Sequence, residues 1–227
     1  MIRFGKSTSI LLVMVILLLV TFIPTIALAD WSTSSTENNP VCNAANDQRY
    51  PQLVSDGSGG AIIVWEDDRS GDDIYAQRVD ASGSTLWADN GTAICTTTGS
   101  QDQPQIVSDG SGGAIIVWYD YRSNSTYDVY AQRINDSGIA QWTDNGTAIC
   151  TEIDDQEYPK LVPDASDGAI IVWQDYRNDN YDIYAQRVNA SGIAQWTDNG
   201  TAICTAINDQ SDMEIISDGS GGAIIAW

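Results

Sequence analysis

Residues Tyr50 to Thr96 read YPQLVSDGSGGAIIVWEDDRSGDDIYAQRVDASGSTLWADNGTAICT. The same pattern begins again near Gln103 and at Tyr158, and a fourth copy starts near Asp212 and stops at Trp227. The unit is about 54 residues long, with tryptophans in step at Trp65, Trp118, Trp173 and Trp227 and cysteines at Cys42, Cys95, Cys150 and Cys204. Self-similarity at a fixed period is the mark of a repeat architecture, in which each unit buries its apolar surface against its neighbours.

Within one unit the turn residues divide the chain into four segments. Pro51 to Ser55 opens with a proline, which a strand tolerates at its first position. Asp56-Gly57-Ser58-Gly59-Gly60 is a turn, and only its final glycine persists in all four copies, which marks a backbone requirement. Ala61 to Trp65 is apolar on both faces, β-branched and too short for a helix, as expected of a strand covered on both sides. Ile74 to Val79 is a mixed strand. The fourth element holds Leu86-Trp87 and Thr92 to Thr96, with Asp89-Asn90-Gly91 as a tight turn or bulge between them.

Four short strands in a unit of this length predict an all-β fold of four-stranded antiparallel β-propeller blades. The repeats fall at about 50–102, 103–157, 158–211 and 212–227, so the array is incomplete, with three full repeats plus partial ones. Pro40-Val41-Cys42 matches the last strand of a repeat, so the chain is expected to enter on an outer strand. A ring fastened by both chain ends needs the fourth blade whole, which favours a piece of a longer protein over a ring lacking one strand.

The N-terminus reads as an export signal. Arg3 and Lys6 precede an apolar run from Ile10 to Ile23, and Ala27-Leu28-Ala29 is a cleavage-type site. The domain plan is therefore a signal peptide over 1–29 cleaved after Ala29, a disordered linker over 30–39 and the repeat domain over 40–227. The alternative, a membrane anchor, is disfavoured because the run is short of a spanning length and Pro24 follows it. A secreted or cell-surface location follows, with no membrane span after cleavage.

The formal net charge is −21, and loss of Arg3 and Lys6 makes it two units more negative. So acidic a surface repels nucleic acid and anionic lipid. There is no histidine, which excludes histidine-based acid–base catalysis and histidine-ligated metals in this chain. The cysteines, one per repeat, are expected to be free. Packed sheets hold equivalent positions about 10 Å apart, too far for a disulfide. Alternation in Thr92 to Thr96 puts Ala93 and Cys95 on one face as small buried residues.

The run P-Q-[LI]-V-S-D-G-x-G-G-A-I-I-V-W-x-D-x-R, followed by D-[IV]-Y-A-Q-R and S-G-x-x-x-W, resembles repeats of secreted and surface proteins of bacteria and archaea. It is also similar to the blades of sialidase-like propellers with Asp-box repeats. The resemblance covers residues 40–227 and implies the propeller fold. The box itself, S-x-D-x-G-x-x-W, is matched loosely: in Asp80 to Trp87 and Asn189 to Trp196 the acid stands one place early and the tryptophan one place late. Sialidases also draw an arginine cluster, a tyrosine–glutamate pair and an acid from different blades, and no such unique set stands out here.

Candidate binding residues lie in the turn after each buried strand. Asp120-Tyr121-Arg122 and Asp175-Tyr176-Arg177, with Asp67-Asp68-Arg69 before them, could grip an acidic group through the arginine fork. The competing reading is an ion pair that every blade needs. Tyr121, Tyr176 and Tyr181 are candidates for stacking on sugar. No cofactor is expected; the acid-rich turns at Asp72-Asp73 and Asn178 to Asp182 offer oxygen ligands for Ca²⁺ but lack an EF-hand pattern. Glycosylation sequons occur at Asn90, Asn124, Asn135, Asn145, Asn189 and Asn199.

Repetition without evident asymmetry leads to the expectation of a non-catalytic surface scaffold for adhesion, binding a polysaccharide or a protein. Two alternatives stand beside it. One is the N-terminal part of a sialidase-like glycoside hydrolase. The other is a structural surface-layer component.

Overall fold

The computed structural model describes residues 31–32, 36 and 38–227. The signal peptide expected over 1–29 lies outside them. The described residues contain strands and turns and no helix. The first sheet is β1 (Gln48–Ser55), β2 (Ala61–Asp67), β3 (Asp73–Val79) and β4 (Thr92–Cys95). The second is β5 (Gln101–Ser108), β6 (Ala114–Asp120), β7 (Asp128–Ile134) and β8 (Thr147–Cys150). The third is β9 (Gln156–Pro163), β10 (Ala169–Asp175), β11 (Asp182–Val188) and β12 (Thr201–Cys204). A two-stranded sheet, β13 (Glu214–Ser217) and β14 (Ala223–Ala226), ends the array.

Each full sheet is an antiparallel meander in chain order. The first strands β1, β5, β9 and β13 lie against one another in succession, so they form the inner edge of an open, unclosed propeller. The A-I-I-V-W run explains the stacking. Ile62 and Val64 of β2 pack with Ala114, Ile116 and Trp118 of β6. The alternate residues Ile115 and Val117 of β6 pack with Ile171 and Trp173 of β10. A middle blade thus buries both faces of its second strand, which is why that strand is apolar throughout. Burying one such isoleucine fully contributes about 1.5–3 kcal/mol.

The final glycine of the Asp56–Gly60 turn is required by close approach rather than by its φ. A Cβ on Gly60 would lie 2.1 Å from the Val79 carbonyl oxygen, and Gly113 and Gly168 meet Ile134 and Val188 in the same way. Gly91 is doubly constrained: its φ is +93° and a Cβ would lie 2.6 Å from the Trp65 ring.

Three local expectations are corrected. The first strand begins at Gln48, and Pro51 sits inside a bulge, where the register shifts between Arg49 and Gln52. Leu86-Trp87 is in no strand: Thr85 makes an isolated bridge to Val79. Trp87 instead reaches the next blade, where its Nε1 donates to the Asp136 carbonyl at 3.0 Å and its ring covers Gly138. Trp142 does the same to Ala190 and Gly192. Finally, Ala93 and Cys95 do not share a burial face. The β3–β4 register shifts between them, leaving Ala93 exposed and Cys95 buried.

Residues ahead of β1 supply blade 1 with what a preceding blade would give. Trp31 Nε1 donates to the Ala81 carbonyl at 3.1 Å and its ring covers Gly83, as Trp87 does one blade later. Cys42 accepts from Arg69 at 3.4 Å.

Candidate functional site

The acid–x–arginine turns are built into the blade junctions. Asp120 is fully buried; it accepts from Trp118 Nε1 at 2.8 Å and from the Arg122 backbone at 2.9 Å, and it pairs with the Arg122 guanidinium. Arg122 also donates to the Asn145 carbonyl at 2.8 Å and to Cys95 of the preceding blade at 3.3 Å, and lies over the Tyr130 ring at 3.6 Å. Asp175 and Arg177 repeat this with Trp173, Asn199, Cys150 and Tyr184. In blade 1, burial pushes Asp67 upward, but hydrogen bonds from Arg69 and Trp65 outweigh it and hold the carboxyl below its ordinary range. The cysteines are all free, as expected, and Cys42, Cys95 and Cys150 accept from Arg69, Arg122 and Arg177 respectively. These acid–arginine pairs are thus bound into the fold, although Arg122 Nε is buried without a hydrogen-bond partner.

The asymmetry lies at the same end of the sheets, on the inner strands. β1, β5 and β9 each carry a bulge near their start, with a positive φ at Tyr50 (49°), Gln103 (45°) and Tyr158 (51°), and Asp212 (55°) holds the matching place ahead of β13. Three of these precede proline, which adds to the strain of a left-handed non-glycine residue. Three positions around the bulge do not keep one residue through all the blades. Arg49, Asp102 and Glu157 occupy one, and Ser211 holds it in the fourth copy. They pair across the hairpin with Glu66, Tyr119 and Gln174 respectively. The third position is Asp72, Tyr127 and Tyr181.

In blade 1 the trio is an ion cluster. Arg49 Nη2 lies 3.0 Å from Glu66 and also binds Asp72. Carboxylate oxygens of Glu66, Asp72 and Asp102 lie within 4.8 Å of one another. Such a group has the chemistry for a hard cation, but the Arg49 guanidinium already holds two of its three carboxylates. Burial raises Glu66 above its ordinary range.

Blade 2 fills the corresponding space with rings: Tyr119 lies 5.0 Å from Tyr127 and 5.6 Å from Tyr158. Burial also raises Asp102, against a lowering hydrogen bond from Tyr127. Its Oδ2 is buried with no hydrogen-bond partner.

In blade 3, Tyr181 donates to Glu157 at 2.9 Å. Burial raises Glu157, the Tyr181 hydrogen bond opposes, and the nearby Asp155 and Asp102 carboxylates add to the rise. Beyond it the junction is open. A cleft of ≈ 380 Å³ is lined by Tyr158, Lys160, Gln174, Ser211, Asp212 and Met213. The small Ser211 stands where the other copies place a long or charged side chain.

Of the sequence candidates, Tyr181 belongs to this set. Tyr176 stands beside it with ring centroids 5.0 Å apart, and Tyr121 stands 4.9 Å from Tyr127. Arg49, Glu66, Asp102, Glu157 and Tyr158 were missed. Searching the copies for what they share hides such residues; comparing them for where they differ finds them.

No protein-family model matches the chain, and no curated protein matches it by sequence. Among solved structures it is similar to an endo-arabinase from Bacteroides thetaiotaomicron, with a TM-score of 0.50 and 14% identity over 80% of this chain and 70% of that one. An endo-1,4-β-xylanase from the same bacterium matches with a TM-score of 0.46 and 9% identity, over 81% of this chain and 60% of that one. The likeness to the endo-arabinase is one of fold, and neither match is a sialidase. It corrects the expectation of a non-catalytic scaffold, which took faithful repetition as a sign that no chemistry occurs. A protein bearing an enzyme's name has this fold, and the inner strand ends of this chain do break the repeat.

Proposed function

We propose that this chain is a glycan-active propeller of the glycoside hydrolase kind, working at the inner strand ends. The observation that carries the reading is Glu157, a carboxyl raised by burial, oriented by Tyr181, and paired across the hairpin with Gln174 of the cleft lining. Cleaving a glycosidic bond takes a carboxylic acid that keeps its proton long enough to give it to the leaving oxygen. A second carboxylate must face the sugar from another side. Glu157 suits the first role. Asp212, which lines the cleft, suits the second. Tyr158 offers a ring face to the sugar. The fold shared with an endo-arabinase supports this reading at the level of architecture.

The test is release of reducing ends from a panel of polysaccharides that includes arabinan, xylan and a sialylated glycan. Hydrolysis of at least one is expected, with Glu157→Gln slowing it by about 10²–10⁴-fold. Absence of release across the panel, or full activity in Glu157→Gln, overturns the assignment. An exported location, with the leader removed after Ala29, is part of the same proposal, because polysaccharides are met outside the cell.

A further inference from the structure

We infer that the glycan taken at this site is uncharged; the inference rests on the glycan-active reading above. It follows from where the positive charges are. Every lysine and arginine among the described residues is in an ion pair. Arg69, Arg122 and Arg177 are held by the buried Asp67, Asp120 and Asp175. Arg78, Arg133 and Arg187 are held by the buried Asp56, Asp109 and Asp164. Arg49 is shared by Glu66 and Asp72. Recruiting any of these to a sugar carboxylate would strand a buried acid, a cost that opposes binding.

Lys160 is the cation at the cleft, and it is paired with Glu214 at 2.6 Å. It is outnumbered there by Glu214 and Asp212. An acidic sugar approaching this mouth meets net negative potential. The rest of the lining suits a neutral ring. Gln174 and Ser211 offer donors and acceptors without charge. Met213, 1% exposed, forms an apolar floor. Tyr158, 44% exposed, presents a face for the C–H side of a sugar. The arginine cluster of the sialidase-like proteins that the repeats resemble has no free counterpart among the described residues.

The experiment is native affinity electrophoresis of the purified chain through gels containing arabinan, xylan, polygalacturonate or a sialylated glycoprotein, at two salt concentrations. Retardation by a neutral polysaccharide and not by the acidic polymers is expected. Tyr158→Ala should weaken it about tenfold, and the conservative Tyr158→Phe should restore it. Circular dichroism and the melting temperature confirm that each variant is folded. Equal or stronger retardation by polygalacturonate or the sialylated protein, lost in Lys160→Gln, overturns the inference while leaving a glycan site in place. Retardation by none of the four defeats the glycan reading and the inference with it.

Discussion

Replacing Arg122 by alanine should unlock two blades at once. The side chain is 21% exposed while its partner Asp120 is fully buried. Removing it leaves that carboxylate with neutral donors alone: Trp118 Nε1, the backbone N–H of residue 122, and longer contacts from Gln101 Nε2 at 3.4 Å and Cys95 Sγ at 3.7 Å. It also strips the donor from the Asn145 carbonyl and from Cys95 of the preceding blade, and the cation from the Tyr130 face. Breaking a buried pair from one side costs about 3–5 kcal/mol. Because the arginine retains some contact with water, the lower end, about 3 kcal/mol, is expected. For a chain of this size that lowers Tm by about 6–12 °C. The assay is guanidinium unfolding followed by tryptophan fluorescence, with Lys160→Ala as the comparison. The Lys160–Glu214 pair is 34% and 75% exposed, so its loss should cost less than about 1 kcal/mol. A loss below about 1 kcal/mol for Arg122→Ala would show that the junction clamp does not hold the blades, and would reopen Asp120, Tyr121 and Arg122 as ligand-binding groups.

Two further outcomes follow from the same geometry. Burial, with Asp120 adding, pushes Asp128 up to about 6, so the folded chain holds a proton that the unfolded chain releases from about pH 4. Stability attributable to this residue therefore falls as pH rises from about 4 through 6, and Asp128→Asn should flatten that slope in unfolding curves taken across the range; an unchanged slope refutes it. In a glycosylating host, mass spectrometry should find sugar on the exposed Asn124 and none on Asn90, Asn145 or Asn199. The side-chain oxygens of these three accept backbone N–H groups of Asn43, Thr96 and Thr151 at 2.7, 3.1 and 3.2 Å across the junctions. Occupancy at any of the three counts against the junction geometry.

The fold was legible because its signals are local and repeated. An apolar run on both faces of Ala61 to Trp65 specifies a covered strand, and the glycine turns set its limits. What escaped was tertiary. The bulge at Tyr50-Pro51 could not be told from a strand start, since proline suits both. Trp87 looked like a strand residue because nothing local says that its indole crosses to the next blade. The D-x-R turn could be weighed against an ion pair from the sequence, but its reach to Cys95 across a junction is invisible without the stacking. The candidate site was hidden for a different reason. Glu157 is one carboxylate among many in an acidic chain, and only its placement between Gln174 and Tyr181 distinguishes it.

The docking of Trp31 and Cys42 onto blade 1 has a consequence for anyone who would cut or swap these modules. The unit that repeats in the sequence is not the unit that can be removed whole. Excising residues 50–102 would take a blade along with the indole and thiol that finish its successor, and would leave behind the pair that finished it. A transplantable piece runs instead from a tryptophan such as Trp31 to the strand hairpin that receives it. Its boundaries fall between the third and fourth strands, where one blade hands its last two anchors to the next.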